Sequence, residues 1–194
     1  MKKQYSVPDR SNRYNYMLDS CVYGTLAEDE EIFNVFKESI SKGFRYYTTA
    51  IQNMELFEGK GARMYNSECM PIMEKPVPMN KIESFNQINK ELNVMLVSEV
   101  ATFMRDHFRS DGTNRFISRN SMDEKILQKI MSKNNQNSTK PYSYSHDAII
   151  AEAAMHYGCI LVTDDKKLRH AVNQLYPGKA IATNQIKEII RELV

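Results

Sequence analysis

Short apolar runs rich in aromatic and β-branched residues alternate along this chain with longer stretches whose apolar positions recur at helical spacing. That alternation predicts an α/β fold with a mainly parallel sheet. Tyr14, Asn15, Tyr16, Met17 and Leu18 read as a first strand that delivers Asp19 at its carboxyl end, before Ser20, Cys21 and Val22. Residues 44–49 read as a second strand, 159–163 as a buried strand after Gly158, and 179–183 as a short last one.

Between these, residues 26–42 carry Ile32, Phe33, Val35, Phe36 and Ile40 at helical spacing behind the acids Glu28, Asp29, Glu30 and Glu31. Acids at the front suit the helix dipole, and Gly43 stands where a C-terminal cap glycine is expected. A helical segment bearing Glu55 follows Thr48 and Thr49. The spacing of Leu92, Val94, Met95, Leu96, Val100, Phe103, Met104 and Phe108 predicts a largely continuous helix over 82–108, with another over 122–131 and a closing helix over 184–193. Pro71, Pro76 and Pro78 mark 66–80 as a loop or linker. The polar stretch 134–141 reads as an exposed loop, and Ser145 as the N-cap of the helix that carries Asp147. Residues 1–12 are polar, include Pro8 and lack periodicity, so they read as a flexible tail.

A length of 194 residues suits one domain, here 13–194 with a helical insertion at about 80–133. A net charge of +2 with interspersed signs neither demands nor excludes nucleic acid. Cys21, Cys69 and Cys159 are odd in number and unpaired in spacing, which argues for a reducing cytoplasm rather than a disulfide framework. His156 and Cys159 have a metal-like spacing, but a tetrahedral zinc site needs more ligands, and they read as a surface imidazole and a core thiol. No segment is apolar enough to span a membrane, and the amino terminus lacks a signal-peptide core.

The candidate chemistry lies in four separated acids. Asp19 follows the first strand, Glu55 sits early in a helix after the second, Asp147 opens the small apolar run Ala148, Ile149, Ile150 and Ala151, and Asp165 closes Thr163-Asp164-Asp165 at a strand end. In open α/β sheets that carboxyl edge is where ligands bind. Four carboxylates about 5 Å apart repel by about 3 kcal/mol per pair at an effective dielectric of about 20, so such a cluster calls for a cation. Hard oxygen donors favour Mg²⁺ or Mn²⁺, which can bind phosphate oxygens and lower the pKa of a bound water.

In order and surroundings these segments resemble the PIN-domain nucleases, including the VapC-type toxins. Asp19 stands in the place of the family's first acid with Ser20 as the usual hydroxyl residue, Glu55 in that of the second and Asp147 in that of the third. Thr163-Asp164-Asp165 matches the family's threonine, variable residue and aspartate, so Asp165 is the fourth acid and Asp164 reads as an exposed cap for the helix starting at Lys166. The resemblance covers roughly 12–65 and 143–194. The stretch between Glu55 and Asp147 is longer than in compact toxins, and Cys21 replaces a common asparagine.

The resemblance implies a three-layer α/β/α sandwich and a Mg²⁺- or Mn²⁺-dependent endoribonuclease. Asp19, Glu55, Asp147 and Asp165 would be the catalytic and metal residues, with Ser20 and Thr163 holding the carboxylates. It further implies a possible toxin role, a cognate antitoxin, an RNA substrate and a homodimer. The alternatives are an RNA-processing or DNA-cleaving relative, or a noncatalytic module binding RNA or protein. A receiver-type phosphorylation domain requires an acidic pair after the first strand, where only Asp19 stands. Lys60, Arg63, Arg105, Arg115, Arg119, Lys166 and Lys167 are candidate phosphate contacts, and Tyr46 and Tyr47 candidate stacking platforms, with at least one of the two in the core.

Overall fold

The computed structural model describes residues 5–57, 64–65, 71–72, 77–98 and 143–193. In chain order the elements are β1 (Asn15–Leu18), α1 (Ser20–Glu28), α2 (Glu30–Ser41), β2 (Arg45–Thr48), α3 (Ala50–Phe57), β3 (Met64–Tyr65) and β4 (Pro71–Ile72). They continue with α4 (Met79–Glu91), β5 (Met95–Leu96), α5 (Ser143–His156), β6 (Ile160–Val162), α6 (Lys166–Leu175), β7 (Ala180–Ile181) and α7 (Thr183–Glu192). The helix expected over 122–131, the loop over 134–141, and Lys60, Arg63, Arg105, Arg115 and Arg119 lie outside the described residues.

Five strands form an all-parallel sheet in the order β5-β2-β1-β6-β7. Side chains alternate across it, as the period of two requires. Tyr16, Leu18, Tyr46 and Val162 pack in one core with Val22, Phe36, Phe85, Ile88, Ile186 and Ile190, from α1, α2, α4 and α7. Met17, Tyr47 and Leu161 pack in the other with the small residues of α5 and with Leu168 and Val172 of α6. Helices on both faces are consistent with a three-layer α/β/α sandwich, and the run Ala148, Ala151, Ala153, Ala154 lets α5 approach the sheet closely. Tyr46 and Tyr47 are both buried, on opposite faces, so neither is a stacking platform.

The chain runs outward from β1 through β2 to β5, then returns to the other side of β1 at β6 and runs outward to β7. The strand order therefore reverses between β1 and β6. In doubly wound sheets that reversal opens a crevice beyond the carboxyl ends of the strands.

Several boundaries differ from expectation. The helix read over 26–42 is two helices, because Asp29 ends α1 and caps α2 by accepting from the Ile32 amide at 3.0 Å. Asp19 follows the end of β1, as expected, and residues 20–22 begin α1. The helix read over 82–108 stops at Glu91 and is followed by β5, and its expected continuation over 99–108 lies outside the described residues. Asn93 adopts φ 50, the Val94 amide donates to the Asn89 carbonyl at 2.9 Å and the Asn93 amide to Lys90 at 3.3 Å, a Schellman termination with asparagine in the glycine position. At the end of α2, Gly43 at φ 91 makes the same turn, as expected.

Ser145 is inside α5, which starts at Ser143, so it is not the N-cap. Met64–Tyr65 and Pro71–Ile72 pair antiparallel, so part of the expected proline-rich loop is a two-stranded ribbon. Residues 5–12 are not a free tail: the Ser6 amide donates to Leu96 at 2.7 Å beside β5, Pro8 is buried, Asn15 Nδ2 donates to the Asp9 carbonyl at 2.6 Å, and Asn12 Nδ2 donates to Gly43 at 3.1 Å.

Candidate active site

Asp19 follows the last residue of β1, and Thr163 follows the last residue of β6, so the two face each other where the strand order reverses. Thr163 Oγ1 donates to Asp19 Oδ2 at 2.6 Å. Cys21 Sγ donates to the same oxygen at 3.1 Å, and the Ser20 amide donates to Oδ1 at 2.7 Å. The carboxylate is 6% exposed. Burial pushes its pKa above the usual aspartate range; the three donors oppose that rise, and the nearby negative charge of Glu55 adds to it.

Glu55 reaches the crevice from α3. The first turn of that helix is fixed by half a capping box, with the Thr49 amide donating to Gln52 Oε1 at 2.5 Å. Gln52 is fully buried, and its Nε2 donates to the Leu18 carbonyl at 2.5 Å, tying α3 to the end of β1. Glu55 is thereby held beside Asp19: Ser20 Oγ donates to Glu55 Oε2 at 2.5 Å, and His146 Nδ1 lies 3.0 Å from Glu55 Oε1. The Glu55 side chain is 8% exposed and that of His146 26%.

Asp147, half-buried on α5, is the chain neighbour of His146, so its helix reaches the same edge. Asp165 is exposed and one hydroxyl removed from Asp19, since its amide donates to Thr163 Oγ1 at 3.1 Å. Its carboxylate caps α6, accepting from the Lys167 amide at 2.7 Å and the Leu168 amide at 3.1 Å. The cap of this helix is therefore Asp165 and not Asp164. Asp164 instead accepts from the Thr183 amide at 3.0 Å, Thr183 Oγ1 at 2.7 Å and Thr25 Oγ1 at 3.0 Å. It supplies the side-chain acceptor that Ala182, at the start of α7, lacks.

The structure thus brings Asp19, Ser20, Glu55 and Thr163 into one connected group. Asp165 joins it through its amide bond to the Thr163 hydroxyl, a hydrogen bond, while Asp147 stands next to His146 in α5. Among the described residues no three His, Cys, Asp or Glu side chains converge as a metal-holding group. The donor chemistry nevertheless suits a hard cation: two largely buried carboxylates interact unfavourably, and Mg²⁺ commonly takes one or two carboxylates with water and phosphate as its remaining ligands. Cys159 is a buried core thiol, as expected. Arg169 of α6, not singled out from sequence, donates to the Thr163 carbonyl at 2.6 Å and puts a cation at this edge.

His146 and Gln52 were also not singled out. The spacing of Thr49 and Gln52 is a readable capping-box signal, whereas nothing around His146 announces its reach to Glu55. No described helix is long and apolar enough to cross a membrane. Comparison with protein-family models, curated proteins and solved structures finds no match.

Proposed function

We propose that this chain is a Mg²⁺- or Mn²⁺-dependent endoribonuclease of PIN-like fold that hydrolyses RNA phosphodiester bonds in the cytoplasm. The observation that carries the reading is the Asp19–Ser20–Glu55 group: two largely buried acids from different elements, linked through one serine whose amide donates to Asp19 and whose hydroxyl donates to Glu55, at the point where the strand order reverses. Burial and mutual repulsion give this pair a reason to hold a cation.

Asp19 and Glu55 would hold the ion, with Asp147 and Asp165 completing the acid set by resemblance. A bound ion supplies Lewis-acid stabilisation of phosphate charge and a more acidic water. Thr163, Cys21 and the Ser20 amide hold Asp19 in one orientation, and Ser20 Oγ does the same for Glu55. Arg169 offers a guanidinium for phosphate at the same edge. The biological setting that accompanies the resemblance is a homodimeric toxin masked by a cognate antitoxin.

One observation favours the noncatalytic reading, the engagement of Asp165 as a helix cap. A panel of single-stranded RNA, structured RNA and DNA, incubated with Mg²⁺, Mn²⁺ or EDTA, tests the proposal. Metal-dependent RNA cutting supports it, cutting of DNA alone names a different nuclease, and binding without cutting favours the module.

A further inference from the structure

We infer that His146 is a positioning residue of this site, fixing the carboxylate plane of Glu55 for cation binding. The inference rests on the nuclease reading and extends it to a residue outside the four acids. Glu55 is grasped at both oxygens by side chains from different parts of the chain: Ser20 Oγ from the start of α1 at Oε2, and His146 Nδ1 from α5 at Oε1. A carboxylate held at one oxygen still rotates about its last torsion, which is broad and soft. Held at both, it keeps a single plane relative to Asp19. The side chain is largely buried, so water competes poorly for either contact.

The donor also stands beside the third acid of the set in the chain. His146 directly precedes Asp147 in α5, so the helix that brings the third acid to the edge brings the clamp on the second. Displacing α5 would release both together. A carboxylate at this distance calls for an N–H donor at Nδ1 of His146. Partners that orient metal-binding carboxylates in this way typically change metal affinity or activity by about 10- to 100-fold when removed.

The test compares full-length wild type, His146→Ala and His146→Gln, reading the rise in melting temperature on titration with Mn²⁺ alone and, separately, kcat and KM on a single-stranded RNA. His146→Ala is expected to need about tenfold more Mn²⁺ for half its thermal shift and to lose about tenfold in kcat, with KM for RNA unchanged. His146→Gln, which retains an N–H donor, is expected to recover most of both. If His146→Ala fails to fold, the Mn²⁺ response of His146→Gln beside that of Ser20→Ala, which removes the opposite grip, carries the comparison: near-normal Mn²⁺ affinity in the first and a loss in the second supports the role. A wild type that binds Mn²⁺ and cuts RNA while His146→Ala matches it overturns this inference alone, as does a His146→Gln no better than His146→Ala. A wild type with neither Mn²⁺ shift nor cleavage overturns the nuclease reading and this inference with it.

Discussion

The Thr163 hydroxyl donates to Asp19 at 2.6 Å and accepts from the Asp165 amide at 3.1 Å, so one side chain joins the carboxyl end of β1 to the start of α6. Thr163 is fully buried. Thr163→Val preserves its shape while leaving a buried carboxylate short of a donor, and is expected to destabilise the fold by about 1–3 kcal/mol. Urea melts check the stability, and cleavage should fall by about 10- to 100-fold under conditions where the variant is fully folded.

Asp19 predicts a specific pH dependence. Its folded pKa lies above the ordinary value near 3.8, so the folded state binds the proton more tightly than the unfolded state. Stability from this group is full below the unfolded value and is lost as pH rises from there through the raised folded value. Asp19→Asn, which keeps one acceptor oxygen for the Ser20 amide, should be as stable as wild type or more stable at pH 7.5, with a flatter stability profile above about pH 4. Thermal melts across pH check this, and marked unfolding of the variant at neutral pH would contradict it.

Asp165 has a structural duty that must be separated from chemistry. Asp165→Ala removes the cap of α6 and should cost about 1 kcal/mol, whereas Asp165→Asn retains a capping oxygen and should melt within a few tenths of a kcal/mol of wild type. Loss of cleavage in a fully folded Asp165→Asn assigns the carboxylate a chemical role; retention of cleavage assigns it to the cap alone.

Asp164 is expected to behave in the opposite way. Asp164→Ala releases the Thr183 amide and hydroxyl together with Thr25, and should destabilise by about 1–2 kcal/mol through the start of α7. At a temperature where it is folded, its cleavage should match wild type.

Cys21 should be a poor nucleophile despite its place at the site. Burial, with the Asp19 charge adding to it, pushes its thiol up to about 12, so it remains protonated at neutral pH. Mass spectrometry after iodoacetamide treatment at pH 8 should find Cys21 labelled far more slowly in the native protein than in urea. Equal rates would contradict its placement.

Much of this architecture was legible from residue patterns because the strands are short, apolar and followed by recognisable stops. Gly43 announced the end of α2, and the run after Asp147 announced a helix rich in small apolar residues. The errors have local causes. Asn93 terminates α4 with the left-handed turn usually given to glycine, and Met95 and Leu96 beyond it belong to β5, so their spacing from Leu92 mimicked a continuing helix. Asp29 ends α1 and caps α2, and the helix expected over 26–42 runs from the last turn of one into the other.

Within the candidate site, Asp19 and Thr163 could be placed at the sheet edge from sequence, since each follows the end of a strand, whereas Glu55 inside α3 was placed by the resemblance. That Asp165 caps α6 while Asp164 holds the start of α7 could not, because neighbouring acids at a strand end are distinguished only by what packs against them. Nor could the reach of His146 to Glu55, across 91 residues of sequence, be read from local spacing.

The most direct measurement of the central claim is cleavage of a defined single-stranded RNA by wild type, Asp19→Asn and Asp165→Asn, with Mn²⁺ or with EDTA, the two variants guarding against a contaminating nuclease. The account predicts cutting by wild type only when metal is present, and its loss in both folded variants. Cutting that persists in EDTA or in Asp19→Asn, or no cutting of any RNA by wild type with Mn²⁺, would contradict it.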